Sequence, residues 1–431
     1  MCLFVAVGVS LAVGVVVAGT STSRVAAPGD PVVVRGADGV YAAAVPGFVG
    51  APAISGEAVA FTIEDEARDR LFSIGKASSD SALRTLYRPP VKRPGSATFL
   101  AASPSRVVAL RDQPDIETCV VNGDCTPSPG ELIGGGTDGD LSRLFGATER
   151  LDPKGSCRRR IAQLGDAGGS DEVSLSGDRI AYARRVRCLS PRRPGRPQIV
   201  VRNLQTGAGR VVYRGVAVGV QLAGRFLAFE TYGRRNQGIA VVLDLPSGRV
   251  AYRARAGDWW SLGDDGKLAT ATFAECCSLV GTLGWYSPES PRLHRLPNRV
   301  SVFSSSPLIY AEGRIAYVRG QNARDAQLAV TDLRGRARVH ARFRAPEELE
   351  AFDFDGTQLA FAHTRYRADR GAADDGIRSI CVEDRILVQA SATVVEVHPV
   401  TDRGRIPTAR LPAAAPHRSP AAERPDCPYR D

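Results

Sequence analysis

The stretch LSGDRIAYA at residues 175–183 decides the fold, because relatives of it recur about every 41 to 48 residues, with one wider gap before this copy. In each copy a tight turn, usually containing Gly, precedes a short apolar run that suits a strand buried on both faces. Repetition on this scale is typical of chains built from many copies of one small unit. The other copies are LAGRFLAFE at 222–230, DDGKLATAT at 264–272, AEGRIAYV at 311–318, FDGTQLAFA at 354–362, ISGEAVAFT at 54–62 and SPSRVVALR at 103–111.

A second pattern follows three of these repeats and predicts a hairpin, since two alternating apolar stretches flank a Gly-containing loop. Its copies are QIVVRNLQTGAGRVVY at 198–213, GIAVVLDLPSGRVAY at 238–252 and AQLAVTDLRGRARV at 326–339. Together the two patterns give four antiparallel strands per repeat, which is the blade of a β-propeller. The sequence therefore predicts an all-β propeller.

The number of repeats predicts seven four-stranded blades, with six or eight left open. Each blade is counted by one small apolar residue of its second strand: Ala60, Val108, Ala181, Ala228, Ala269, Ala316 and Ala360. We expect the propeller to occupy residues 28–402, with an insertion at about 112–165. Residues 31–45 are expected to pair with the last blade, which would close the ring and remove exposed sheet edges. The Pro-, Ala- and Arg-rich tail, residues 403–431, is expected to be mostly disordered.

The N-terminal segment predicts export from the cytoplasm. Residues 3–18 are an apolar run followed by small and polar residues, so residues 1–27 are interpreted as a signal peptide. The usual basic residues before the run are missing, and an uncleaved membrane anchor is the rival interpretation. We therefore expect a secreted or cell-envelope protein.

The cysteines favour the same compartment, because an even number in an exported chain is typical of disulfides. Eight cysteines follow the apolar run: Cys119, Cys125, Cys157, Cys188, Cys276, Cys277, Cys381 and Cys427. The expected pairs are Cys119 with Cys125, Cys157 with Cys188, and Cys381 with Cys427. Cys276 and Cys277 would be bridged to each other or paired elsewhere.

The loops of a propeller divide between two faces, and here they differ in length. Turns between first and second strands, and between third and fourth strands, share the short-turn face. The other loops share the long-loop face and carry nearly all the variation, including 184–197, 274–279 and 364–376. Variable loops on a rigid scaffold are where binding usually resides. We therefore expect the ligand on the long-loop face and its central mouth.

Three groups of residues on that face are candidates for binding, each with a structural alternative. Trp259 and Trp260 could stack on a sugar or a peptide side chain, or they could simply pack in the blades. An Arg-rich loop could bind phosphate or carboxylate partners, or only be solvated. Glu347 and Glu348 could hold a cation with other acidic residues of first strands, namely Asp171, Glu172 and Glu350, or be separate loop ends. The arginines of the loop are Arg184, Arg185, Arg187, Arg192, Arg193 and Arg196.

The sequence offers little support for catalysis. It contains no Gly-x-Ser-x-Gly elbow and no phosphate-binding loop. The five histidines are scattered and no Cys-x-x-Cys pair occurs, so no metal site and no cofactor are expected. A site built on His363 with Asp374 and Asp375 is conceivable and would indicate a lyase or hydrolase. Clustering of His363 with acidic residues at the mouth would strengthen that alternative.

The repeats resemble the WD40-like (PD40) repeats of TolB-type bacterial propellers over roughly residues 48–400. The resemblance rests on the Gly-x-x-φ-Ala-aromatic pattern followed by φ-x-φ-x-Asp-Leu-x-x-Gly, where φ is apolar, and on the partly kept Ser-Pro-Asp-Gly opening at 265–266 and 355–356. We expect no counterpart of the separate N-terminal domain of the TolB-type proteins, because the repeats begin soon after the apolar run. The resemblance implies an exported propeller that binds proteins or envelope material.

The net charge of +10 bears on the choice of partner. Nucleic acid is not expected, because the chain is predicted to be exported and has no recognisable nucleic-acid-binding module. The sequence thus predicts an exported, monomeric, non-catalytic binding module for a protein or peptide. The alternatives are adhesion to an anionic envelope polymer through Arg-rich loops and, less favoured, a propeller enzyme.

Overall fold

The computed structural model describes the backbone of residues 32–35, 40–45, 48–56, 58–64, 70–75, 84–87, 97–111, 118–119, 125–126, 131–136, 141–146, 148–150, 157–161, 173–188, 197–232, 238–273, 280–301, 308–320, 325–344, 347–368, 379–382, 385–389 and 393–400. The regular elements of these residues are all β-strands. Within the same ranges no helix is long and apolar enough to cross a membrane.

The first three blades follow two N-terminal strands, β1 (Val32–Arg35) and β2 (Tyr41–Val45). Blade 1 contains β3 (Phe48–Val49), β4 (Ala53–Ser55), β5 (Ala58–Glu64), β6 (Arg70–Gly75) and β7 (Arg84–Tyr87). Blade 2 contains β8 (Ala97–Ser103), β9 (Arg106–Arg111), then the separate hairpin β10 (Thr118–Cys119) and β11 (Cys125–Thr126), then β12 (Glu131–Gly135) and β13 (Ser142–Gly146). Blade 3 contains β14 (Thr148–Arg150), β15 (Cys157–Ile161), β16 (Val173–Ser176), β17 (Arg179–Cys188), β18 (Gln198–Asn203) and β19 (Gly209–Arg214).

Blades 4 to 6 are regular four-stranded units. Blade 4 contains β20 (Val218–Ala223), β21 (Phe226–Tyr232), β22 (Gly238–Asp244) and β23 (Arg249–Arg255). Blade 5 contains β24 (Trp259–Leu262), β25 (Leu268–Phe273), β26 (Val280–Tyr286) and β27 (His294–Ser301). Blade 6 contains β28 (Leu308–Ala311), β29 (Arg314–Arg319), β30 (Asp325–Asp332) and β31 (Ala337–Arg344).

Blade 7 joins the two ends of the described chain. Its C-terminal strands are β32 (Glu347–Phe354), β33 (Gln358–Ala368), β34 (Ser379–Val382), β35 (Arg385–Gln389) and β36 (Thr393–Pro399). The N-terminal strand β2 pairs with β36 in antiparallel register, with Tyr41 opposite Val397. This pairing confirms the predicted closure by residues 31–45.

The first strands of the blades form a closed ring. They contact one another in the order β4, β8, β16, β20, β24, β28 and β32, and β32 contacts β4 again. The described residues thus form seven sheets of four or more strands around one centre. The predicted all-β propeller of four-stranded blades is confirmed.

The core lies between the blades, and each of seven apolar clusters joins two neighbours. Ala181 and Leu227, for example, share the cluster between blades 3 and 4. The seven small residues used to count the repeats all lie in second strands and are fully buried. Since both faces of a blade pack against a neighbour, the second strand must be apolar on both sides, which explains the short continuous apolar runs.

Polar side chains of the first strands tie neighbouring blades together. Backbone N–H groups of one blade donate to side-chain oxygens of the blade before it: Leu222 to Ser174 (2.9 Å), Leu262 to Gln221 (2.8 Å), Tyr310 to Ser261 (3.0 Å) and Ile54 to Asp353 (2.6 Å). These bonds satisfy donors at the inner edge of each sheet, where no further strand is available. The polar residues at the centre therefore have a structural role.

The interval 112–165 differs from the single insertion that the sequence predicts. Strands β12 and β13 lie within it and are the third and fourth strands of blade 2, since β12 pairs with β9. Strand β15 pairs with the distal half of β17 and so extends blade 3. The prediction was wrong because neither strand carries the hairpin pattern that the sequence shows at 198–213, 238–252 and 326–339: β12 reads ELIGG and β15 reads CRRRI.

Candidate functional site

The tryptophan pair is split between two sides of blade 5. Trp259 packs against the apolar cluster between blades 5 and 6, and Trp260 packs against the cluster between blades 4 and 5. Successive residues of a strand point to opposite faces, so the two indoles face away from each other. Both are half-buried. They do not form one stacking platform, although Trp260 belongs to the patch described next.

The long-loop face carries an exposed patch at blades 4 and 5, formed by Val216, Glu230, Tyr232, Asp258 and Trp260. Val216 and Tyr232 are 60% and 53% exposed, whereas the other large exposed apolar residues of the described chain, Val250 and Leu293, reach 39% and 38%. Val216 precedes β20 and Tyr232 ends β21, and the Val218–Glu230 pairing of these strands places the two side by side. We call this set the blade 4–5 patch.

Two carboxylates border the apolar pair of the blade 4–5 patch. Glu230 is half-buried and hydrogen-bonded to the indole of Trp260. Asp258 is exposed, and its carboxylate accepts the backbone N–H of Phe273 at 2.8 Å. Burial raises the pKa of Glu230, the Trp260 bond opposes this, and the charge of Asp258 adds to the increase. A cation placed between the two carboxylates would remove this repulsion.

The repeat pattern does not predict a role for Val216, Glu230, Tyr232 or Asp258. These residues lie at or near the ends of strands, where the repeat pattern predicts only the strand boundary. The sequence feature that could have indicated the patch is the run Leu227 to Tyr232. In this run the buried apolar residues of the strand are followed by an aromatic residue at its end.

Blade 7 contains a buried ionic chain, which we call the His–Glu network. Glu347 Oε1 lies 2.7 Å from His363 Nδ1, and His363 Nε2 lies 2.9 Å from Glu396 Oε1. The second oxygen of Glu396 lies 2.7 Å from His398 Nε2. The side chains of Glu396 and His398 are only 2% and 3% exposed, whereas Glu347 at the long-loop end is 32% exposed. The network therefore runs from the long-loop face into the blade interior.

The environment of the His–Glu network fixes its charge. Both nitrogens of His363 face carboxylates, so both must carry a proton and the ring is a cation. Burial would lower the pKa of His363, but the bonds to Glu347 and Glu396 outweigh it and raise the pKa to about 9. Burial would likewise raise the pKa of Glu396, but the bonds from the two histidines lower it to about 2. Phe343 and Phe361 cover the rings, with centroids 5.6 and 5.9 Å from that of His363.

The acidic residues of β32 do not converge on one point. Glu347 belongs to the His–Glu network, and Glu350 accepts the hydroxyl of Tyr366 at 2.6 Å. Glu348 is half-buried, and the register places it opposite Thr364. Asp171 and Glu172 lie outside the described residues, as do Asp374 and Asp375. In the described part of the chain, no group of three His, Cys, Asp or Glu residues could hold a metal ion.

The Arg-rich loop is described only at its start. Arg184 is half-buried and donates through Nε to Gln198 Oε1 at 3.0 Å. The backbone of Arg185 and Arg187 belongs to β17 and lies opposite Arg160 and Arg158 of β15. Arg192, Arg193 and Arg196 lie outside the described residues, and so do the side chains of Arg185 and Arg187.

Two of the predicted cysteine pairs stand opposite each other in the backbone. Cys119 faces Cys125 in the β10–β11 hairpin, and Cys157 faces Cys188 between β15 and β17. Directly opposed residues of antiparallel strands have Cα separations of about 4.5–5.5 Å, which a disulfide can bridge. Cys381 lies in β34. Cys276, Cys277 and Cys427 lie outside the described residues, and all of the disulfides stay predictions.

Comparison with known proteins shows the fold and no more. No protein-family model matches the sequence, and no curated protein matches it. Among solved structures, the chain is similar to an oligogalacturonate lyase in complex with manganese at 10% identity and a TM-score of 0.50, covering 87% of this chain and 97% of that one.

Two β-propeller proteins of bacteria are also among the similar structures. TolB from Acinetobacter baumannii is 14% identical with a TM-score of 0.37, covering 81% of this chain and 82% of that one. BamB from Moraxella catarrhalis is 9% identical with a TM-score of 0.38, covering 77% and 90%. At these identities the likeness concerns the fold alone.

Proposed function

We propose that this chain is an exported, non-catalytic, monomeric β-propeller that binds a protein or peptide partner through its long-loop face. The observation that carries the proposal is the blade 4–5 patch. It holds the two most exposed large apolar side chains of the described residues, and both lie on the long-loop face. Exposed apolar groups rimmed by polar residues are typical of interaction sites.

The chemistry of the blade 4–5 patch favours a segment with an apolar and a cationic side chain. Tyr232 offers an open aromatic face, on which an aliphatic or guanidinium group can pack. Glu230 and Asp258 beside it repel each other, and a Lys or Arg of the partner would relieve that repulsion. Because Asp258 is exposed, this attraction is expected to weaken as salt rises.

Export is supported by the apolar N-terminal run and by the opposed cysteines. Peptide mapping of the mature chain without reductant tests it, and we expect linked peptides for Cys157 with Cys188 and for Cys119 with Cys125. Free thiols at these four positions in protein isolated without reductant would contradict an oxidising compartment.

The binding face is tested by site-specific photo-crosslinking in the source cells. A benzophenone amino acid is placed at position 232, and separately at positions 250 and 293 as matched exposed positions away from the long-loop face. We expect a discrete crosslinked protein from position 232 and none from the controls. Replacing Glu230 by Gln and Asp258 by Asn in the same chain should reduce its yield. Equal crosslinking at all three positions, or crosslinks confined to 250 or 293, would contradict the proposal.

Two alternatives make different predictions. A propeller lyase or hydrolase would use His363, which does contact Glu347 near the long-loop face, but both its nitrogens already bond carboxylates and neither is open to a substrate. A His363→Gln variant that keeps the turnover rate of the wild type would reject a catalytic role of this residue.

Adhesion to an anionic polymer through the Arg-rich loop gains support from the opposed arginines of β15 and β17. Charge reversal at Arg192 and Arg193 would abolish such adhesion.

A further inference from the structure

The outer strands of blades 3 to 6 carry arginine and no carboxylate. Strands β19, β23, β27 and β31 together contain ten arginines and neither Asp nor Glu, and the side chains of all ten are exposed. These strands are the edges of their sheets in the described chain. The ten arginines, which we call the arginine rim, are Arg210, Arg214, Arg249, Arg253, Arg255, Arg295, Arg299, Arg338, Arg342 and Arg344.

The arginines of the rim form no ion pair within the described residues. Arg210 donates to the backbone carbonyl of Leu245. For the other nine, the described part of the chain provides no carboxylate within ion-pair distance. Arginines of the short-turn face behave differently: Arg225 binds both oxygens of Asp244 at 2.7 Å, and Arg336 binds Asp332 at 2.7 Å. Among the described residues, these two turn arginines therefore have carboxylate partners and the rim arginines have none.

Protection of the sheet edge does not explain so many arginines. A charged residue or a β-bulge on an edge strand prevents pairing with other molecules. Each of the four outer strands already has a register irregularity against its neighbour, for example between Val242 and Leu243 opposite β23. Ten like charges also repel one another, and a mixture of both signs would protect the four edges without that repulsion.

We propose that the arginine rim binds an anionic polysaccharide. Arginines two apart on one strand, such as Arg253 with Arg255 and Arg342 with Arg344, lie about 6.6–6.8 Å apart along it and offer parallel forks for carboxylate or sulfate groups. A linear polyanion can contact several blades in turn and gain from each. The outer strands lie at the periphery of the propeller. The arginine rim is therefore separate from the long-loop face and independent of the function proposed for that face.

The composition of the arginine rim favours a polysaccharide over nucleic acid or membrane. Proteins that bind single-stranded nucleic acid without sequence preference stack its bases on aromatic side chains. The tyrosines of these strands, Tyr213 and Tyr252, are half-buried and buried, so the rim presents charge without an open ring. Membrane insertion needs an apolar face, and Val250 is the one large exposed apolar residue of the four strands as described.

The experiment uses the full mature chain and three polymers: alginate, neutral dextran and single-stranded DNA. Binding is measured by biolayer interferometry over a salt series. Two rim variants, Arg253→Gln/Arg255→Gln and Arg342→Gln/Arg344→Gln, are compared with Arg225→Gln/Arg336→Gln, which removes the same charge from paired arginines. We expect alginate binding that weakens with salt, a loss of about tenfold in each rim variant, and a loss of about twofold or less in the control.

Three results would overturn the proposal. Equal losses in rim and control variants would mean that net charge alone attracts the polymer. Tighter binding of DNA than of alginate at equal charge concentration would identify a nucleic-acid surface. No alginate binding at low salt would remove the rim as a site altogether. Since crosslinking at position 232 does not involve the rim, failure here leaves the protein-partner proposal standing, and the reverse also holds.

Discussion

The arginine rim and the His–Glu network place charge in the same fold under opposite conditions. On the rim, ten arginines without carboxylates stand in solvent on edge strands. In blade 7, Glu396 and His398 are almost fully buried and bind each other at 2.7 Å. Water screens the rim charges, so each is tolerated without a partner, whereas a buried ion without a partner costs several kcal/mol.

This difference separates stability from binding. Changes in the His–Glu network should alter the free energy of unfolding, because every member satisfies another member. Changes on the arginine rim should alter affinity for polyanions and leave unfolding unchanged. The location of the network should increase its effect on stability. Strand β36 carries Glu396 and His398 and also pairs with the N-terminal strand β2, which closes the ring.

The largest effect is expected from Glu396→Ala, which leaves His363 and His398 buried without their shared carboxylate. We expect a loss of about 3–5 kcal/mol in the free energy of unfolding, measured by urea titration at pH 6. The rim variant Arg344→Ala serves as control. Replacing Glu396, His363 and His398 together by Leu should cost much less than the single change, because no buried ion is then left unpaired. A loss below about 1 kcal/mol for Glu396→Ala would show that the network does not stabilise blade 7.

The second prediction is the pH dependence of the network. The pKa of His363 is raised from 6.5 to about 9, so its stabilisation is complete below about pH 6.5 and is lost as pH rises through 9. The pKa of Glu396 is lowered from 4.5 to about 2, so its contribution is complete above about pH 4.5 and is lost as pH falls through 2.

The difference in the free energy of unfolding between wild type and His363→Gln isolates the contribution of the His363 cation. It should be on the order of 3 kcal/mol near pH 6 and shrink steadily toward pH 10. His340, whose pKa is lowered to about 4 by burial and by the nearby positive charges, is common to both proteins and cancels in the difference. A difference that stays constant from pH 6 to 10 would mean that His363 is not a buried cation.

The sequence predicted the architecture, but for a physical reason it predicted neither the arginine rim nor the pairing of His363 with Glu396. The repeat pattern records what each second strand must bury, and the seven small residues from Ala60 to Ala360 are indeed fully buried. Glu396 and His363 lie 33 positions apart, and their contact depends on the pairing of β33 with β36. Similarly, the arginines of β23 and β31 become one surface only when blades stand side by side, so no local window shows it.

A smaller effect is expected where a first-strand side chain joins two blades. Asp353 accepts the N–H of Ile54 at 2.6 Å across the seam between blades 7 and 1, where the two ends of the described chain meet. Asp353→Ala should cost about 1.5–3 kcal/mol, because the acceptor is charged. Ser261→Ala, which removes the equivalent bond to Tyr310 between blades 5 and 6, should cost about 1 kcal/mol. Thermal unfolding followed by circular dichroism measures both losses. Equal losses in the two variants would show that the charge of Asp353 does not strengthen its bond across the seam.

The smallest effect on stability is expected on the arginine rim. Arg253→Gln and Arg342→Gln should each change the free energy of unfolding by less than about 0.5 kcal/mol, because the removed charges have no carboxylate partner in the described chain and the remaining arginines repel each other less. Raising salt should stabilise the wild type slightly and the variants less, since salt screens the same repulsion. Urea titrations at low and high salt measure both quantities. A rim variant that unfolds as readily as Glu396→Ala would show that its arginine is paired, and the contrast between a solvated rim and a buried network would fail at that position.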